Sequence, residues 1–375
     1  MNINLELIKR KNYIEFIKKE MVLIISISLA LFSCIFSTPK LSYIDFKVLI
    51  LLFNLMIVVS SFTELKVLDS IATKILKRCK SYTSVSFTLI FLTLISSMFV
   101  TNDVALLTFV PLTIIIGKKA NFNTLKIIIF QTIAANLGSS FTPMGNPQNI
   151  FIHSFYNIDV ITFFKITLPL LLISIILLVL FILKEKNKDI NIKLDNVNVR
   201  DRNQVIIFSI LFLIILLSVF HLISYKITFF ITLITVLLFN KNLFLKVDYS
   251  LLLTFICFFI FIGNISTLDS VKNFMEQLLK NGQSTFVFSI IISQVISNVP
   301  ATMLLSGFTA SINELLLGVN IGGLGTLIAS LASVISFKLY TNEFPKESSK
   351  YFKYFTFYNI LGLVIITPLI YIILF

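Results

Sequence analysis

Apolar runs alternate with short polar interruptions along almost the whole chain, and most runs are of membrane-crossing length. Spans are predicted at about 21–38, 46–62, 163–183, 204–220, 225–240, 249–263 and 354–374. Residues 1–20 carry Lys9, Arg10, Lys11, Lys18 and Lys19 and predict a basic amphipathic lead-in at the cytoplasmic surface. Between Glu64 and Lys80, Leu68, Ile71, Ile75 and Leu76 recur at helical spacing among basic residues, which predicts a helix lying in the interface, capped by Asp69. Leu268-Asp269-Ser270 repeats Leu68-Asp69-Ser70 and opens a second such helix.

Two kinds of segment do not fit a simple span. The runs 83–116 and 285–312 are each cut in the middle, at Thr101-Asn102-Asp103 and at Ser297-Asn298-Val299-Pro300. Each arm is short for a full crossing, so both read as re-entrant hairpins with those residues at the tips. The runs 124–156 and 314–340 are interrupted by polar, glycine-bearing stretches. In the first, Asn136, Gly138, Thr142, Gly145, Asn146 and Asn149 surround Pro147. In the second, Asn320, Gly322, Thr326, Ala329, Ser330 and Ser333 stand at matching places. Proline removes an amide donor and glycine releases the backbone, so a continuous helix is not expected through either stretch. In lipid the freed groups must be buried in protein or line a wet cavity. Paired broken helices in two halves point to a transporter binding site.

Composition agrees. Of 375 residues, 57% are hydrophobic and 13% charged, which excludes an ordinary soluble enzyme. The net charge of +13 sits between apolar runs, so it speaks of orientation in a membrane and not of nucleic acid. With the amino terminus inside, Lys40, Lys47, Lys165, Lys226, Lys272 and Lys280 fall outside and the remaining Lys and Arg inside. That assignment divides the chain into a first repeat (21–183), a cytoplasmic linker (184–203) and a second repeat (204–375) of opposite orientation. The fold class expected is an all-α polytopic membrane protein with inverted-topology repeats, two re-entrant hairpins and two broken transmembrane helices. Met21 to Thr38 is too long for a signal-peptide core and lacks a small-residue cleavage site, so it is a first span. Cys34, Cys79 and Cys257 have no paired or metal-ligand spacing, and the two histidines exclude a histidine-rich metal centre. His153 reads as an interfacial side chain.

The chemistry rests on tips and breaks. Half-helix amino termini suit a carboxylate or oxyanion, and unwound carbonyls suit Na⁺. Asn102 and Asn298 donate and accept, as do the hydroxyls of Thr101 and Ser297. Gly138, Gly145, Gly322 and Gly325 are candidate backbone contributors. Thr142, Asn146, Asn149, Thr326 and Ser330 either line the site or satisfy local backbone. Asp103 is an intramembrane carboxylate, which costs about 2.5–3.5 kcal/mol on insertion scales. It would ligate a cation, carry a proton, or cap the second hairpin arm. No nucleophile–base pair, phosphate loop or metal-ligand cluster occurs, so no enzyme is expected and no cofactor beyond a coupling ion.

The motif from Asn136 through Gly138, Thr142, Gly145 and Pro147 to Asn149, with the Ser297-Asn298 tip, resembles the ion transporter superfamily. That group includes the citrate-transporter-like and divalent anion:sodium symporter permeases and the arsenite permeases. The resemblance implies an inverted-repeat secondary carrier in the cell membrane, usually a homodimer, with a scaffold and a mobile domain that moves the site like an elevator. It implies substrate and ion binding at Thr101, Asn102, Ser297 and Asn298 and at the breaks around Gly145 and Ala329, with Asn136 among the motif residues and Na⁺ near Asn102, Gly145, Asn298 and Ala329. Dicarboxylate carriers have Ser-Asn-Thr tips. Thr101-Asn102-Asp103 looks more like the arsenite permease branch, and Val299 lacks the hydroxyl. The leading expectation is a secondary active transporter of an organic carboxylate or inorganic oxyanion coupled to Na⁺ or H⁺. An arsenite/antimonite efflux permease or a Na⁺/H⁺ antiporter is the alternative.

Overall fold

The structure is a computed structural model that describes residues 20–190, 195 and 197–375. Apart from Glu20, the predicted lead-in lies outside the described residues, as does part of the linker. Every regular element described is helical. The first half runs α1 (Met21–Ser33), α2 (Phe46–Glu64), α3 (Val67–Leu76), α4 (Tyr82–Val100), α5 (Asn102–Lys119), α6 (Leu125–Ser139), α7 (Pro147–Phe155) and α8 (Val160–Leu183). The second runs α9 (Arg202–Val219), α10 (Tyr225–Phe239), α11 (Tyr249–Ile265), α12 (Asp269–Leu278), α13 (Gly282–Ile296), α14 (Asn298–Ser306), α15 (Ile312–Ile321), α16 (Leu331–Glu343) and α17 (Ser348–Leu374). Among the described residues, five helices are long and apolar enough to cross a membrane. The chain is an all-α polytopic membrane protein.

Local chemistry sets many helix starts. Asp45, Asp159 and Asp248 each accept the amide of the residue three positions on, at 3.1, 3.0 and 2.9 Å, opening α2, α8 and α11. Asn281 and Ser284 form a reciprocal capping box at α13. Asn146 caps α7 with Pro147 in its first turn.

Four expectations need correction. The first span stops at Ser33, not residue 38. Thirteen residues rise about 20 Å, short of a full hydrocarbon core, and α1 lies against α11 instead of crossing alone. Asp69 does not cap α3: Lys66 precedes that helix in a left-handed conformation, and Asp69 sits in the first turn. Its carboxyl is half-buried, which raises its pKa. The second hairpin ends at Ser306, with residues 307–311 outside any helix. The last helix begins at Ser348, ahead of residue 354.

The predicted surface helix α12 leaves α11 at 102°. The linker crosses back to the first hairpin. Tyr82 N donates to Lys188 O at 2.8 Å and Ile190 N to Lys80 O at 2.9 Å, making one antiparallel bridge between Ser81 and Asp189. Lys119 pairs with Asp195 at 3.0 Å, and Arg200 N reaches Leu65 O at 3.3 Å.

Candidate functional site

Both hairpins turn on one residue. Thr101 separates α4 from α5 with φ 71° and ψ 153°, and Ser297 separates α13 from α14 with φ 75° and ψ 153°. This region of backbone space is close to glycine-only, and a side chain held there costs about 1–3 kcal/mol. Two non-glycine residues thus hold the same strained conformation at matching positions of the two hairpins.

Each hairpin docks on a broken helix through small residues. A Cβ on Gly138 would strike the Leu94 carbonyl and lie 2.6 Å from Ser97 Oγ. A Cβ on Gly322 would lie 2.7 Å from both Cβ and Oγ of Ser293. The same contact therefore recurs in both halves, α6 against α4 and α15 against α13. A second equivalence follows from the threonines. Thr142 Oγ1 donates to Met98 O, and Thr326 Oγ1 donates to Gln294 O at 3.1 Å. Met98 and Gln294 each stand three residues before a tip.

The breaks free backbone groups, and polar side chains take them up. In the first, Asn149 Nδ2 donates to the carbonyls of Ser139, Ser140 and Thr142 at 3.2, 3.1 and 3.0 Å. Thr167 of α8 donates to Phe141 O at 2.9 Å. Gly145 packs so closely on the Ser139 backbone that a side chain has no room. In the second, Gln294 Nε2 donates to Gly322 O and Leu324 O at 2.8 and 2.9 Å, while its Oε1 accepts Thr326 N at 2.9 Å. Ser297 Oγ donates to Ala329 O at 3.3 Å, so this tip touches its own break. Gly325 has φ 101°, and Gln294 fills the space where its Cβ would go. Gln294 and Thr167 were not singled out in the sequence. A lone amide inside an apolar hairpin arm was the available signal for Gln294.

Asparagines join the two halves. Asn146 Nδ2 donates to Asn320 Oδ1 at 3.0 Å, and Asn320 Nδ2 donates to Asn149 Oδ1 at 2.8 Å. Asn136 Oδ1 accepts Asn102 Nδ2 at 3.2 Å and Ser330 Oγ at 2.9 Å. Asn136 Nδ2 lies 3.3 Å from both Gly323 O and Ser333 Oγ. Tips and breaks thus meet in one buried amide–hydroxyl web. Thr326 alone of the candidate residues is exposed.

Beside this web lies a cavity of about 550 Å³. Thr101 and Asp103 face it from the first tip, Pro147 and Ile150 from α7, and Ile335 from α16. Helix α2 makes the opposite wall, and Glu64, Lys66, Arg200, Lys246 and Asp248 stand around it. With Asp103 counted, three cations, Lys66, Arg200 and Lys246, face three carboxylates, Glu64, Asp103 and Asp248, so the surround carries charges of both signs. Of the candidates, then, Thr101 and Asp103 line the cavity. Asn102, Asn136, Asn146, Asn149, Asn320 and Ser330 stand in the web, and Gly138, Gly145 and Gly322 set close backbone approaches. Asn298 sits beside Gly323, its Nδ2 2.9 Å from where a Cβ would be. Among the described residues, no group of three or more His, Cys, Asp or Glu could hold a metal ion. The oxygens at hand are amide, hydroxyl and carbonyl, the hard-donor set that suits Na⁺.

Comparison with known proteins agrees with this architecture. The citrate transporter family signature matches residues 10–316. An uncharacterized transporter of Methanocaldococcus jannaschii is 37% identical over 323 residues, covering 85% of this chain and 88% of its own length. The inner membrane protein YbiR of Escherichia coli is 27% identical over 325 residues, 85% of this chain and 87% of its own. The arsB transporter of Dictyostelium discoideum is 30% identical over 165 residues, 42% of this chain and 29% of its own.

Proposed function

Since the chain belongs to the citrate transporter family, a family of transporters and not of enzymes, we propose that it is a secondary active carrier of a small anion coupled to Na⁺ or H⁺. The anion is an organic carboxylate or an inorganic oxyanion. The observation that carries this reading is the pair of identically strained tips set against broken helices, with Thr101 and Asp103 facing a cavity ringed by Lys66, Arg200 and Lys246. The amide-bearing start of α5 receives the anion, and Lys66, Arg200 and Lys246 offer cationic partners among the cavity's carboxylates. Na⁺ would take tip and break oxygens near Asn102, Gly145, Asn298 and Ala329, since each carbonyl in use keeps a second lone pair.

The web favours alternation by movement of one body. Asn146, Asn320 and Asn149 tie the breaks together, so hairpins and broken helices shift as a unit past α2, α9, α10 and α11 in an elevator-like motion. The positive-inside rule supports an amino terminus in the cytoplasm and repeats of opposite orientation in the cell membrane. A homodimer is proposed on family resemblance.

The second reading is an arsenite/antimonite efflux permease or a Na⁺/H⁺ antiporter. It is favoured by the carboxylates of Asp103 and Asp248 on one cavity, and by the partial similarity to arsB. Uptake of labelled citrate, succinate, sulfate and arsenite into proteoliposomes separates the readings, with Na⁺ and pH gradients imposed singly. Anion uptake driven by either gradient supports the first. Metalloid movement alone, or Na⁺/H⁺ exchange without anion, replaces it with the second.

A further inference from the structure

A second cavity, of about 250 Å³, lies away from the amide web, between α8, α15 and α17. Three helix ends meet there: the start of α8, the start of α15 and the close of α17. Lys165 and Leu183, the last residue of α8, are about 27 Å apart along the helix axis. The linker leaves from the Leu183 end. A hydrocarbon core is about 30 Å thick, so the cavity opens at the membrane surface opposite the linker.

The lining divides by chemistry. Thr162, Lys165 and Asn313 make its polar end, near the starts of α8 and α15. Ile166, Pro169, Leu317 and Ile370 make the apolar remainder. From Thr162 to Pro169 the helix rises about 10 Å, the depth from headgroups to the upper acyl chains. Lys165 is the one charged residue of the lining, and it joins no ion pair among the described residues. Asp159 lies within electrostatic reach of it, but that carboxylate is engaged with Thr162 N at 3.0 Å. Glu314, in the first turn of α15, turns its carboxylate toward Gly282 of α13. No side chain caps α15, so its first amides and its dipole add positive potential at the same end as Lys165. Water finds too few partners among Ile166, Leu317 and Ile370 to fill the deeper part, so hydrocarbon fills it.

We propose that this groove binds one anionic glycerophospholipid, its phosphate on Lys165 and the start of α15 and one acyl chain along Ile166, Pro169, Leu317 and Ile370. Charge selects the headgroup, because the lining offers a cation and amides and no carboxylate. A zwitterionic lipid brings its own ammonium, which finds no anionic partner in the lining. The walls belong together: α8 and α17 both pack on α6, and α15 is half of the second broken helix. The lipid therefore lies on one side of the movement proposed above and does not tie α2, α9, α10 or α11 to it. It fills the seam where the last helix meets the second broken helix.

The test is native mass spectrometry of the purified full chain, equilibrated in micelles that hold phosphatidylglycerol and phosphatidylcholine in equal amounts. The variants are Lys165→Gln, Ile373→Trp, which narrows the groove, and Lys226→Gln, which removes a cation from α10 instead. All three positions are exposed, so the variants are expected to fold. One phosphatidylglycerol retained per chain in preference to phosphatidylcholine supports the site, when retention falls at least about 5-fold in Lys165→Gln, falls in Ile373→Trp and holds in Lys226→Gln. Equal retention of the two lipids by the wild type overturns it. So does unchanged retention in Lys165→Gln or Ile373→Trp, or an equal loss in Lys226→Gln, which would mean bulk surface charge. Lipid is counted without substrate, so failure of the transport assay and failure of this site are separate results.

Discussion

Thr101 and Ser297 share one backbone conformation, φ 71° with ψ 153° and φ 75° with ψ 153°, at the two hairpin tips. They differ in what their hydroxyls do. Ser297 Oγ holds Ala329 O at 3.3 Å, whereas Thr101 faces the cavity. Thr101→Gly removes strain of about 1–3 kcal/mol and should raise the melting temperature in detergent. Ser297→Gly also loses a hydrogen bond of about 1 kcal/mol, so its melting temperature should move less. Uptake should fall in Thr101→Gly and be retained in Thr101→Ser. A destabilised Thr101→Gly protein would show that the tip is not strained as described.

Asn136 has four neighbours in the web, Asn102, Gly323, Ser330 and Ser333. Asn136→Leu leaves several of them unpaired, at about 1–3 kcal/mol for each buried group. A clear drop in thermal stability is expected. Asn136→Asp should also be destabilised, since the carboxylate meets the Gly323 carbonyl where an amide donated. Wild-type melting for both would remove the web from the account.

Gly145→Ala should fail to accumulate as folded protein, because its Cβ meets the Ser139 backbone, which cannot swing aside. Gly362→Ala is the matched control. Its Cβ would meet only Leu324 Cδ1 at 3.5 Å and Leu177 Cδ2 at 3.6 Å, ordinary contacts. Size-exclusion profiles of the two variants decide the point, and equal behaviour would contradict the packing at the first break.

Lys118 pairs with Glu343 between α5 and α16, and both side chains are about half exposed. Such a pair contributes about 0–1 kcal/mol, so Lys118→Ala should shift melting only slightly. A double-mutant cycle with Glu343→Ala would report a coupling of that size, and a coupling several times larger would mean the pair is shielded from solvent.

Asp103→Asn separates coupling schemes. If uptake follows the pH gradient and is lost in the variant, the carboxylate carries the proton. If uptake follows Na⁺ and survives, Asp103 serves the start of α5 and the web with the breaks carries function.

The interrupted helices were legible because their interruptions are local. Gly138, Gly145 and Pro147 forbid a continuous helix whatever surrounds them, and the Thr101 and Ser297 tips follow from arms too short to cross. The matching of Thr142 with Thr326 was legible from spacing alone, and both threonines secure a carbonyl three residues before a tip. What was hidden depends on distant partners. The Asn146–Asn320 bond spans the two halves, and no local pattern distinguishes an asparagine that braces another from one that awaits a ligand. His153 read as an interfacial side chain because a sequence does not reveal that the other histidine lies opposite. The early stop of α1 is not legible in the sequence, because Ile35 and Phe36 are apolar yet lie outside the helix.

The glycine contacts bear on how the protein is made. Gly138 and Gly322 sit in grooves of α4 and α13, and each of those arms precedes its docking helix in the chain. The second hairpin has a returning arm of nine residues, Asn298–Ser306, which cannot reach across a bilayer by itself. Each hairpin is therefore synthesised before the surface that holds it. A released chain truncated ahead of Leu125, or ahead of Ile312, should carry an unanchored hairpin open to protease, and protection should arrive only in chains long enough to include residue 138 or 322.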